Sequence, residues 1–251
     1  MHRGIAFRSA VACAAVTALF GPPVPANARD QGVINWSITP YIWASDTTVD
    51  LTFNDTNIGS GSLNFGDLLD VLDTAFMVHA EGGAGQWSSF ADLTYLATSD
   101  VTQRTILTID SRSKQTFLDL AVAYRPGGAT SPFNLFAGLR YSGFDDRYTF
   151  SAGGQVLGEQ RSTDDYYDFL IGARYRFVLS DRWDLLTHAD ASFGDSEGTF
   201  LLRANLGYAV GKRRANRILF GYQYKEAEFR SGDLTSNFDY SGPMAGFNFR
   251  F

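Results

Sequence analysis

Tyr167-Asp168-Phe169-Leu170-Ile171-Gly172-Ala173-Arg174-Tyr175-Arg176-Phe177 is the stretch whose reading decides the fold. Its odd positions are all apolar or aromatic, while the even positions carry Asp168, Gly172, Arg174 and Arg176. A period of two belongs to a β-strand, because successive side chains leave an extended backbone on opposite faces. The run matches the ~9–11 residues that a tilted strand needs to cross a bilayer. A soluble barrel turns its charges outward to water. Here one whole face is free of charge, which points to lipid outside and polar groups inside.

The same period recurs in ten segments, beginning near Asn35, Ala75, Trp87, Thr116, Phe133, Tyr166, Trp183, Thr199, Ile218 and Tyr240. Short connections alternate with longer ones. Gly85-Gln86, Pro126 to Pro132, Ser180 to Arg182 and Gly211 to Arg217 are short. Ser45 to Thr74, Ser99 to Gln115, Phe144 to Asp165 and Arg230 to Asp239 are longer, and Asp195 to Gly198 is the brief exception. An even strand count with both termini on the short-turn side predicts an all-β, antiparallel transmembrane β-barrel of the bacterial outer membrane, with turns in the periplasm and loops outside. Ten strands are expected; splitting strand one or merging a hairpin would give eight or twelve.

The chain ends fit this reading. Phe247-Asn248-Phe249-Arg250-Phe251 alternates up to its terminal aromatic residue. That ending resembles the signal read by the bacterial barrel-insertion machinery, which the resemblance implies as a partner through the C-terminal strand. Met1 to Ala28 has a basic start at Arg3 and Arg8, an apolar run from Ala10 to Phe20, and Ala26-Asn27-Ala28 before Arg29. These are the parts of a secretory signal peptide, expected over residues 1–28 with the barrel over 29–251; the apolar run is too short to span a membrane as a helix. Cys13 falls inside it, so the mature chain carries no cysteine and offers no disulfide or thiolate metal site.

Removing the leader leaves 19 basic against 27 acidic residues, an acidic balance that argues against nucleic acid as a partner. Aromatic residues make up 15% of the chain and glycine contributes 25 positions, as expected of alternating strands with close-packed interiors and aromatic belts. Trp36, Trp87, Phe133, Phe177, Trp183 and Phe251 all fall at short-turn ends on the outward face, forming one expected girdle against outer-membrane lipid. Tyr95, Tyr141, Tyr167, Phe193, Phe200 and Tyr224 gather toward the long-loop ends as the second.

The inward face collects His79, Glu81, Asp92, Asp119, Arg125, Arg140, Asp168, Arg174, Arg176, Asp184, His188, Asp190, Arg203, Lys225 and Arg250. In a barrel this narrow, side chains fill the lumen and opposite charges pair, because an unpaired buried ion is costly. The expectation is a largely closed, salt-bridged lumen in a barrel with a structural or surface-binding role. Two alternatives stand beside it: a narrow polar pore of mixed charge, and a surface hydrolase using residues such as His188, Asp190 and Ser192. His188 and Asp190 lie in mid-strand, His188 and Ser192 point inward where a lipid hydrolase would want them outward, and no catalytic residue is assigned. No cofactor or metal is expected either, and oligomeric state stays open.

The long loops are acidic. Asp46, Asp50, Asp55, Asp67, Asp70 and Asp73 lie in the first, Asp145, Asp146, Glu159, Asp164 and Asp165 in the third, and Asp195 and Glu197 in the fourth. Solvation explains them; the alternative is divalent-cation bridging to anionic lipid, without an ordered ligand spacing to support it. Lys212-Arg213-Arg214 through Arg217 forms a basic cluster expected to face the periplasm.

One loop segment, Phe65 to Asp73, places Leu68, Leu69 and Leu72 on one helical face with Asp67 positioned to cap the start. Such a helix would plug the barrel mouth, lie on the outer leaflet, or bind a partner or a greasy solute. The stretch Phe65 through Tyr95, with Pro40-Tyr41-Ile42-Trp43, resembles a family of uncharacterised proteobacterial outer-membrane β-barrel proteins with an F-x-D-L-L-x-x-L-D-x-A-F-M segment followed by W-x-x-F-A-D-L-x-Y-L. The resemblance implies that the helix and its flanking strands are a family feature; it brings no activity and no site residues.

Overall fold

The computed structural model describes residues 34–54, 56–104 and 107–251. The leader expected over Met1 to Ala28, and Asp55 of the first acidic loop, lie outside the described residues. The elements run β1 Asn35–Trp43, β2 Asp46–Phe53, β3 Thr56–Leu63, α1 Phe65–Val71, β4 Leu72–Ala84, β5 Trp87–Arg104, β6 Leu107–Tyr124, β7 Phe133–Ala152, β8 Gln155–Val178, β9 Trp183–Gly194, β10 Gly198–Val210, β11 Asn216–Ser231 and β12 Leu234–Arg250. Ten antiparallel strands, β1 and β4 through β12, close into a barrel by pairing β1 with β12. The expected strands one to ten are these ten, and β2 and β3 are an additional hairpin inside the first loop.

Alternation sets which face meets which solvent. In β8, Phe169 is 64% exposed while its neighbour Leu170 is 1% exposed, and the same inversion repeats along β10 and β7. Phe76, Leu135, Leu139, Phe169, Ile171, Leu202, Phe220 and Phe249 together cover the outer wall with exposed apolar side chains. A water-soluble protein does not leave so large a band uncovered. With polar and charged groups on the inner face, the architecture is a transmembrane β-barrel of the outer-membrane type. Among the described residues no helix is long and apolar enough to cross a membrane.

The short-turn ends match the expected strand starts at Asn35, Trp87, Phe133 and Trp183, whereas the other ends require correction. Most of Ser99 to Gln115 and of Phe144 to Asp165 is strand rather than loop, as β5 and β6, and β7 and β8, continue as tall hairpins. The tip of the β7–β8 hairpin explains the second. Gly153 and Gly154 have φ of 58° and 81°, the left-handed pair that a two-residue turn needs to match strand twist. Above the membrane wholly polar runs, Ser111 to Gln115 on β6 and Glu159 to Asp165 on β8, interrupt the apolar period.

The first loop is also more ordered than expected. β2 continues upward from β1 after a break at Ala44 and Ser45, and pairs with the upper half of β12, from Leu234↔Phe53 to Ser241↔Asp46. β12 is therefore shared, with its lower half on β1 and its upper half on β2. On the other side β1 pairs β4 only from Asn35↔Gly83 to Pro40↔Val78. Pro40 brings no N–H to that ladder.

The helix is α1, and two expectations for it are corrected. Asn64, not Asp67, is the N-cap: its side-chain oxygen accepts from the Asp67 backbone N–H at 3.0 Å, and its Nδ2 donates to Asp67 Oδ2 at 2.6 Å. Leu72 has extended backbone and opens β4, because strand pairing with Thr98 takes over from the helix. None of the α1 residues is buried, and Leu69 is 52% exposed, so the helix does not plug the barrel mouth.

Candidate functional site in the barrel lumen

Of the charges expected on the inward face, all but Arg125, which follows the end of β6, project from a strand, and their pairing depends on register between strands. The registers His79↔Asp92, Asp92↔Asp119, Asp119↔Arg140 and Arg140↔Asp168 run in a single row across β4 to β8. A second row, Arg174↔His188, His188↔Arg203 and Arg203↔Gln223, continues across β8 to β11. Together they make a charged belt at mid-height.

Arg140 is the centre of this belt. Its Nε and Nη2 each lie 2.7 Å from an Asp119 carboxylate oxygen, Nη2 lies 3.0 Å from Asp190 Oδ1, and Nη1 donates to Thr199 Oγ1. Bidentate geometry of this kind is what offsets the desolvation of a guanidinium that is 1% exposed. Asp190 in turn meets His188 Nε2 at 2.6 Å. Gly172 leaves the necessary space, since a Cβ there would collide with the Phe136 ring and with Asp190.

Across the lumen, Asp92 accepts from Tyr41 Oη at 2.6 Å and meets His79 Nδ1 at 3.1 Å and Arg203 Nη1 at 3.4 Å. Arg174 reaches Glu81 at 2.9 Å and stacks over Phe90 at 4.6 Å. Glu81 also accepts from Ser88 at 2.7 Å. In the barrel ring of ten strands, Arg203 on β10 and Asp92 on β5 stand on opposite walls.

Three expected members of the charge network sit differently. Lys225 lies with Nζ 3.7 Å from the Phe117 ring centroid, a cation–π contact in place of a salt bridge. Asp168 accepts from Ser192, from Ser196 Oγ at 2.6 Å and from the Ser196 backbone N–H at 3.0 Å, its charge held by neutral donors. Arg250 lies at the short-turn end with no carboxylate within salt-bridge distance among the described residues. Arg217, expected in a basic turn, instead points inward from β11 and binds Asp184 at 2.8 Å. Tyr41, Gln223 and Thr199 also join the belt, and only their inward parity in sequence marks them.

Above the belt the lumen is aromatic. Phe117, Phe144, Tyr166, Phe229, Phe238 and Tyr240 pack ring on ring: Phe144 stacks on Phe238 at 6.0 Å, Phe229 meets Phe144 at 5.0 Å and Tyr166 at 4.7 Å, and Phe117 meets Tyr240 at 6.2 Å. β7 and β12, which carry Phe144 and Phe238, are opposite walls of the ring. Below the belt is a cavity of about 650 Å³, bordered by Asn35, Gly85, Ser131 and Arg250 from the short-turn ends.

On the outer surface Trp36, Trp87, Trp183, Phe177 and Phe251 are exposed at the short-turn rim, with Phe133 beside Tyr175 at 6.5 Å. Tyr167, Phe193 and Phe200 are exposed toward the opposite rim. Beyond that rim the β7–β8 hairpin carries the acidic residues of the third loop. Tyr141 donates to Asp165 at 2.6 Å, and Arg161 holds Asp145 at 2.7 Å. Partial burial pushes the Asp146 carboxyl above its usual range, with Asp145 and Asp164 adding to the effect against a hydrogen bond from Ser113. Among the described residues, no group of three or more acidic, His or Cys side chains has the arrangement to hold a metal ion.

No known family model matches the chain, and no curated protein matches it. Among solved structures it is similar to the outer membrane protease OmpT from Escherichia coli, at 10% identity over 87% of this chain and 96% of that one, with a TM-score of 0.44. It is also similar to Ail of Yersinia pestis, at 9% identity over 86% and 99% of the two chains with a TM-score of 0.40, and to OprG from Pseudomonas aeruginosa, at 13% over 88% and 97% with a TM-score of 0.33.

Proposed function

We propose that this chain is an integral outer-membrane barrel whose lumen is closed, acting as a structural and surface-binding protein with its short turns in the periplasm and its tall hairpins outside. The observation that carries the reading is contact between opposite walls: Phe144 on Phe238, Lys225 on Phe117, and Arg203 with Asp92. Side chains that meet across the diameter support a lumen without a continuous water path. The buried charges are tied to one another in the same layer, which favours a fixed core over a conducting filter. The hairpins of β5 with β6 and of β7 with β8 then supply the exposed surface available for contact with other molecules.

Planar-bilayer recording of the purified, folded protein tests this directly. A quiet membrane is expected. Steady single-channel steps that change when Asp190 or Arg174 is neutralised would instead make the lumen a pore.

A further inference from the structure

The lower cavity is charged unevenly. Arg125, Arg174, Arg176, Arg217 and Arg250 line it, against only Glu81 and Asp184; Arg203 also borders it but is matched by Asp92 in the belt. Two carboxylates cannot neutralise five guanidiniums, and the distances show which remain unmet. Arg174 holds Glu81 at 2.9 Å and Arg217 holds Asp184 at 2.8 Å. Arg125 stands 3.7 Å from Glu81 and Arg176 stands 3.8 Å from Asp184, both beyond hydrogen-bond length, and Arg250 has no carboxylate in reach among the described residues. Arg176, Arg217 and Arg250 line the same cavity.

Like charges gathered in a half-enclosed space raise the local concentration of anions, and planar guanidiniums suit oxyanions in particular. The Arg174 Nε is buried without a partner, a further donor on the same wall. Asn134 and Asn248 add polar lining, and a space of about 650 Å³ admits a small molecule. The basic turn at Lys212, Arg213 and Arg214 lies at the same end of the barrel.

We infer that this vestibule is a binding site for a phosphate-bearing oxyanion entering from the periplasmic end, gripped by Arg125, Arg176 and Arg250. The proposal takes only its orientation from the reading above; binding and conductance are measured separately. The same phosphate chemistry is carried by a soluble solute or by the headgroup of an inner-leaflet lipid.

Isothermal titration of the folded barrel in neutral detergent with inorganic pyrophosphate tests the site. Saturable binding that weakens with salt is expected, and the double variant Arg176→Gln/Arg250→Gln should weaken it by about tenfold or more, the loss typical of charged hydrogen bonds. Arg161→Gln, on the opposite hairpin, should leave it unchanged. Heat-dependent gel mobility identifies folded variants, and if the double variant fails that check, Arg125→Gln is held to the same weakening. Absence of saturable binding, or binding equally tight in the variants, overturns the proposal. Competition by phosphatidylglycerol micelles would identify a lipid headgroup as the source, and lack of competition a free solute; both outcomes retain the site.

Discussion

The upper and lower halves of the lumen have the same strands for walls and opposite contents. The upper half is filled by rings from β6, β7, β8, β11 and β12, while the lower half keeps an arginine-lined cavity. The difference comes from what each strand offers inward. On β11 the inward series runs from Arg217 through Leu219, Gly221, Gln223 and Lys225 to Ala227 and Phe229. Charge and small residues occupy the lower turns, and the aromatic side chain comes last. On β12 the series is mirrored, from Phe238 and Tyr240 at the top through Gly242, Met244 and Gly246 to Asn248 and Arg250. One barrel thus carries an aromatic layer above a charged pocket, with the Arg140 belt between them.

Removing the belt should do the most damage. Arg140→Met leaves Asp119 and Asp190 without their shared cation and is expected to cost about 3–5 kcal/mol, read as a lower urea midpoint of the folded band on unheated gels. Opening the seal comes next. Phe229→Ala removes a ring that touches Phe144, Tyr166 and Phe238, and should cost about 3 kcal/mol. It should also raise bilayer current above the wild-type level if this layer does the sealing. In the lower half Arg176→Gln should change stability by less than about 1 kcal/mol, since its ion pair is long and partly exposed. A loss as large as that of Arg140→Met would erase the distinction between the halves.

The smallest effect lies in the outer hairpin. Because the Asp146 pKa is raised on folding, the carboxyl contributes stability that is fully present below the ordinary Asp range and lost as pH rises through the raised value. Asp146→Asn should therefore be more stable than wild type at pH 7 by less than about 1 kcal/mol, with the gap closing near pH 4. Paired urea melts at the two pH values check it. A gap that widens toward low pH would contradict the shift.

How much of this was legible in the sequence follows from the range of each signal. The strand starts at Asn35, Trp87, Phe133 and Trp183 were readable because lipid imposes an apolar period there and aromatic residues mark the rim. The hairpin ends were not, because above the membrane β5 to β8 face water on more than one side and the period fades. Inward parity was readable for each charge, but partnership was not: Asp92 meets Arg203 across 111 positions, a contact set by register and barrel diameter. Arg217 was read with its turn neighbours because it follows three basic or small residues closely, and only the start of β11 at Asn216 shows that it belongs to the wall. The vestibule was hidden for the same reason. Its arginines come from the turn after β6 and from β8, β11 and β12, and their excess appears only when the acids are seen to be spent higher up.

The junction of β1 with β12 has a kinetic consequence. Asn248 donates to Thr39 at 2.8 Å across a sequence separation of 209, so the ladder that turns a curved sheet into a cylinder joins the two ends of the described chain. Contacts of such separation form late, because chain entropy must be lost before they return anything. Every hairpin from β4 to β12 is able to zip locally in advance, while the last seam waits for both edge strands. That seam is expected to be the last to form.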